Sequence, residues 1–83
     1  MKRNLVIAKN NPAEALRVAA GLTLLHESVR VAAIGVLPDD PAVAEQRELL
    51  DLNDVPVDVI TDPAAVPARL ADALLQSEVV YTL

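Results

Sequence analysis

Three short polar clusters in this 83-residue chain hold residue types that could do chemistry: Lys9-Asn10-Asn11, Asp39-Asp40 and Thr61-Asp62. A lysine beside two asparagines at the start of a helix is a candidate anion site, because free N–H groups there attract negative charge. Asp39, Asp40 and Asp62 could form a carboxylate set for Mg²⁺, as in receiver domains with a flavodoxin-like sheet. That chemistry also needs a lysine after a late strand, and no lysine follows Lys9. The aspartates are better explained as helix caps, so no metal is expected. The two glycines, Gly21 and Gly35, fall inside a helix and a strand rather than in a phosphate-cradling loop. No cofactor is expected, and the bland reading of all three clusters is capping without a ligand.

Catalysis has little to draw on. There is no cysteine, which removes disulfides, thiolate metal sites and sulfur nucleophiles. The single histidine, His26, is expected at the C-terminal end of a helix, where it complements the dipole. No nucleophile or orienting group is placed near it by sequence, so no catalytic residue is assigned. Tyr81 is the sole aromatic residue and is read as half-buried packing. With one aromatic and a net charge of −5, the chain has neither the stacking platforms nor the sign of charge for nucleic acid. No apolar run approaches the ~20 residues of a membrane span, and Leu5–Ala8 is too short for a signal peptide core. A cytoplasmic location is the expectation.

The elements that must position these clusters share one device. Asn11-Pro12-Ala13, Asp40-Pro41-Ala42 and Asp62-Pro63-Ala64 each follow an extended apolar run. Asn and Asp are good N-caps, and proline suits the first helical position. Glu14 adds something like a capping box to the first. The runs before them, Asn4–Ala8, Val29–Val36 and Val57–Ile60, are rich in β-branched residues and mostly continuous. A fourth, Glu78–Thr82, has no helix after it. Continuous rather than alternating runs indicate strands covered on both faces. Helices are predicted over Pro12–His26, over Asp40 to about Leu52, and from near Pro67 to Gln76, with Pro63–Val66 as a turn. Arg69, Asp72 and Gln76 form a polar stripe on the third, with Leu70, Ala71, Leu74 and Leu75 away from it. The order β-α-β-α-β-α-β implies right-handed crossovers and a single three-layer α/β/α domain over residues 1–83. Its four-stranded parallel sheet is predicted in the order 3-2-1-4.

Ligands of such sheets bind outside the strand carboxyl ends, which is where Lys9, Asn10, Asn11, Asp39, Asp40, Thr61 and Asp62 fall. The first helix offers a different kind of site. At about 100° per residue, Leu16, Ala19, Ala20 and Thr23 face the sheet, while Glu14, Arg17 and Gly21 form the polar edge. Val18 and Leu25 fall on that same outer edge, so the helix is apolar nearly all round. A chain of this size buries only about 60% of its unfolded surface and often relies on a partner. Val18, Gly21 and Leu25 are therefore candidate subunit-interface residues, set against the reading of ordinary scattered surface apolars.

Several segments resemble the DsrE/DsrF/DsrH family of small sulfur-relay proteins, which includes TusB, TusC and TusD. The resemblance rests on LVIAKNNPAEALRVAAGLTLLHESVRVAAIGV, on ELLDLNDVPVDVI and on ADALLQSEVVYTL. It implies a three-layer domain that assembles as a homotrimer, a hexamer or a mixed ring with cysteine-bearing relatives. In active members it also implies a cysteine that carries persulfide sulfur. This chain departs there, since relay needs a thiolate and the third strand exit reads Ile60-Thr61-Asp62-Pro63. The resemblance thus implies a non-catalytic, cysteine-free subunit. The alternative is a small-ligand binder for an anion or nucleotide, using the strand-end crevice.

Overall fold

The computed structural model describes residues 2–83. Strand β1 (Arg3–Ala8) is buried without interruption from Asn4 to Ala8, which is why its sequence does not alternate. It is followed by α1 (Pro12–Thr23), β2 (Ser28–Ile34), α2 (Pro41–Leu52), β3 (Val57–Ile60), a 3-10 turn (Pro63–Ala65), α3 (Val66–Leu75) and β4 (Val79–Thr82). All neighbouring strands run parallel, in the order β3-β2-β1-β4, as predicted. Arg3 pairs with Ser28, Val31 with Val57, and Asn4 with Val79.

The sheet separates two apolar clusters. Val6, Ala8, Val31 and Ala33 pack with Ala15, Leu16 and Ala19 of α1 and with Val43 and Leu50 of α2. Leu5, Ile7, Ala32 and Ile60 point the other way, against Ala73, Val66 and Leu70 of α3. Two helices thus cover one face and a single helix the other, which makes a three-layer α/β/α molecule of 33 × 31 × 18 Å. Leu5, Leu16, Leu50, Ile60, Val6 and Val31 are the largest fully buried side chains. Each stabilises the fold by about 1.5–3 kcal/mol through removal from water.

Several boundaries differ from the sequence expectation, each for a local reason. Helix α1 stops at Thr23, not His26: Leu24, Leu25 and His26 donate to the carbonyls three residues back, and His26 turns left-handed at φ 59°. That conformation redirects the chain into β2, so His26 lies beyond the helix rather than on its last turn. Asp54 (φ 57°) has the same place after α2. Asp and His are among the residues that tolerate this region best. Strand β2 ends at Ile34 because Gly35, at φ 90°, leaves the extended region after its N–H donates to the Ile60 carbonyl at 2.9 Å. Helix α1 seats Ala15 on the sheet with Leu16 and Ala19, while Ala20 and Thr23 are only half-buried. Helix α3 begins at Val66, one residue before Pro67, which is harmless in the first turn.

Candidate functional site at the carboxyl edge of the sheet

The predicted site residues occupy the carboxyl edge of the sheet, and most of their polar groups hold the fold together. The backbone N–H groups of Lys9 and Asn10 both donate to the Leu83 carbonyl, at 2.8 and 2.9 Å. This pair of hydrogen bonds to one oxygen fastens the exit of β1 to the residue after β4. Asn11 Oδ1 accepts from Glu14 N at 3.3 Å. Asp40 Oδ1 accepts from Ala42 N at 2.8 Å, and Asp62 Oδ1 from Ala64 N at 3.0 Å. All three caps predicted from the Asx-Pro-Ala signature therefore form. Each shields N–H groups that an anion would otherwise use.

The first turn of α1 carries its own charge pair. Arg17 Nε donates to Glu14 Oε2 at 2.9 Å, and Arg17 Nη2 contacts Glu14 Oε1. These hydrogen bonds, with the attraction behind them, hold the Glu14 carboxyl below its ordinary range and the Arg17 guanidinium above its own.

At the exit of β2, Asp39 and Asp40 border a hollow of about 260 Å³ with Leu37, Pro38, Val43 and Arg47. Neither Lys9, Asn10, Asn11, Thr61 nor Asp62 lines it. Asp39, Thr61, Lys9 and Asn10 are exposed. No group of three or more His, Asp or Glu side chains able to hold a metal occurs among the described residues.

The interface candidates divide. Val18 is half-buried and Gly21 exposed on α1, while Leu25 is 66% exposed in the turn beyond the helix. Leu24 beside it is 79% exposed, and sequence reasoning missed it because the projected helix ran on through both residues.

Sequence reasoning also missed a cavity of about 370 Å³ between α3 and the strands β2 and β3, away from the carboxyl edge. Arg30, Asp58, Arg69 and Asp72 line it above Ala32 and Ala73. Arg69 Nη2 pairs with Asp58 Oδ1 across it. The polar stripe of α3 was legible; that it faces β3 required the position of the crossover. Two guanidinium groups and two carboxylates leave this cavity without net charge. The Arg69–Asp58 pair fastens α3 to the sheet edge.

No family model, no curated protein and no solved structure matches the chain. No helix among the described residues is long and apolar enough to cross a membrane.

Proposed function

We propose that this chain is a non-catalytic, DsrE-like subunit that works by association with copies of itself or with cysteine-bearing relatives, in cytoplasmic sulfur relay or related metabolism. The observation that carries the association is the exposed pair Leu24 and Leu25, at 79% and 66%, beside α1. Two adjacent leucines in water at the end of an otherwise well-seated helix mark a surface that gains from being covered. The commitment of Asn11, Asp40 and Asp62 to caps supports this reading over the alternative of a strand-end anion or nucleotide site. The sulfur-relay context comes from the family resemblance alone, and the thiol that this chain lacks would be supplied by a partner subunit.

Multi-angle light scattering at micromolar concentration tests the association. The expected result is a mass above the 8.8 kDa protomer, alone or on mixing with a cysteine-bearing relative. Leu25→Asp should lower that mass without changing the circular dichroism spectrum. A monomer that also ignores such relatives would overturn the reading.

A further inference from the structure

The two edges of the sheet are built differently. The β3 edge is guarded: Pro56 precedes the strand, Asp58 stands on it, and Arg69 reaches across to that carboxylate. Proline and charge are the ordinary means of preventing a sheet edge from pairing with another chain. Strand β4 itself has neither, and the one charge that flanks its start, Glu78, is paired with Arg3 of β1 at 3.5 Å. Its residues are Val79, Val80, Tyr81 and Thr82, all of types that favour strands. Val80 is 42% and Tyr81 37% exposed.

The flank of α3 beside β4 is uncharged as well. Val80 pairs with Leu5, so it faces the α3 side; Tyr81 pairs with Val6 and faces the α1 side. Helix α3 seats Val66, Leu70 and Ala73 on the sheet and turns Arg69 toward β3. At about 100° per residue, Pro67, Ala71 and Leu74 then lie on the opposite flank, toward β4. Leu74 is 44% exposed. An apolar ledge, Ala71–Leu74–Val80, therefore runs beside an open strand edge. All the charge of α3 lies on its other side.

We propose that β4 pairs antiparallel with β4 of a second copy across a two-fold axis, which joins two four-stranded sheets into one of eight strands. A second copy fits for three reasons. An antiparallel pair of identical strands is self-complementary, since each residue meets its own symmetry mate or that mate's neighbour on the same face. The protein carries a net charge of −5, so two copies repel generally and approach most easily along a strip without charge. Antiparallel pairing also brings Glu78, which pairs with Arg3 of its own chain at 3.5 Å, to the end of the other β4. Lys9, whose N–H is bonded to Leu83, lies at that end with no ion-pair partner among the described residues. This inference goes beyond the proposed function and uses a surface separate from Leu24 and Leu25.

The absence of cysteine supplies the test. Val80→Cys and Tyr81→Cys are made separately in the full chain. Two-fold antiparallel pairing in the register that carries Glu78 to the far end of the partner strand places one of these positions directly opposite itself, within the Cα separation a disulfide needs. Mild oxidation should link most of that variant into a dimer, while Leu52→Cys, more exposed at 74% but on α2, stays unlinked. Val80→Lys combined with Leu74→Lys should halve the light-scattering mass, with circular dichroism confirming the retained fold. A monomeric wild type overturns the inference. So does a linkage yield at both β4 positions no higher than at Leu52, or a double-lysine variant of unchanged mass. An oligomer that Leu25→Asp dissociates but that gives no β4 cross-link would overturn this pairing and leave the α1 surface standing.

Discussion

The side chain of Asn4 reaches from the centre of the sheet to Glu27, its Nδ2 donating to Glu27 Oε2 at 3.1 Å and to the Ser28 carbonyl at 3.2 Å. Asn4 is 2% exposed, and its Oδ1 has no partner. It is the only buried polar residue among those described. One amide thus ties β1 to the turn that opens β2, where the register of the central pair is set. Asn4→Asp replaces the donor with an acceptor facing Glu27. Burying an unpaired charge in this way should cost about 3 kcal/mol at neutral pH. Burial and the neighbouring carboxylate both raise the pKa of the new acid. The loss is therefore present above the ordinary aspartate range and recedes as pH falls. Urea melts at pH 7 and pH 4 check the sign; equal losses at both would show that the new group is not a buried anion.

The helix caps give a graded prediction. Asp40→Ala removes the 2.8 Å bond to Ala42 N and should destabilise by about 1 kcal/mol. Asp62→Ala should cost less, because its partner Ala64 lies in a 3-10 turn rather than in a full helix. Denaturant midpoints for the two variants check the order. The opposite order would indicate a role for Asp62 beyond capping.

The two glycines should respond to alanine with opposite signs. A Cβ at either meets nothing within 4 Å, so space does not decide the outcome. Gly35 sits at φ 90°, where an L-residue is strained, and Gly35→Ala should destabilise by about 1 kcal/mol or more. Gly21 lies within α1, and Gly21→Ala should stabilise the protomer by about 0.5–1 kcal/mol. Thermal melts of the pair read both. Light scattering on Gly21→Ala reads separately whether that helix edge is covered in an assembly.

The Glu14–Arg17 pair predicts a pH response. Hydrogen bonding to Arg17 lowers the folded pKa of Glu14 below its ordinary value of 4.5. A depressed carboxylate stabilises the fold above the unfolded pKa, and that contribution disappears as pH falls through the folded value. An NMR titration should find the Glu14 midpoint below the ordinary range in the wild type. In Arg17→Ala it should return toward that range. No movement between the two proteins would remove Arg17 as the cause.

Sheet order, strand positions and all three caps could be read from residue order, because Asx-Pro-Ala after an apolar run is local chemistry. The failures came where tertiary geometry overrides a local pattern. The apolar period of α1 continues through Leu25, yet the chain must reverse to begin β2, and His26 takes the left-handed turn that permits it. Placing Arg69 against Asp58 needed the knowledge that α3 crosses behind the sheet. The candidate site was legible as a location, the carboxyl edge, where those cap bonds leave the residues of Lys9–Asn11 and Asp62 largely structural.

The central position of β1 has a consequence for how the molecule assembles in time. Its contact with β2 spans one helix, whereas its contact with β4 spans nearly the whole sequence: Asn4 meets Ser28's neighbour Val29 on one side and Val79 on the other. Closing the shorter loop is favoured entropically, so β1, β2 and β3 are expected to order before β4 docks. Until that last strand arrives, the most deeply buried strand of the finished fold is itself an edge. The interval before β4 docks is then the period of greatest aggregation hazard. Substitutions that weaken the Leu83 anchor to Lys9 and Asn10 should lengthen that interval and lower soluble yield before they visibly alter the finished fold.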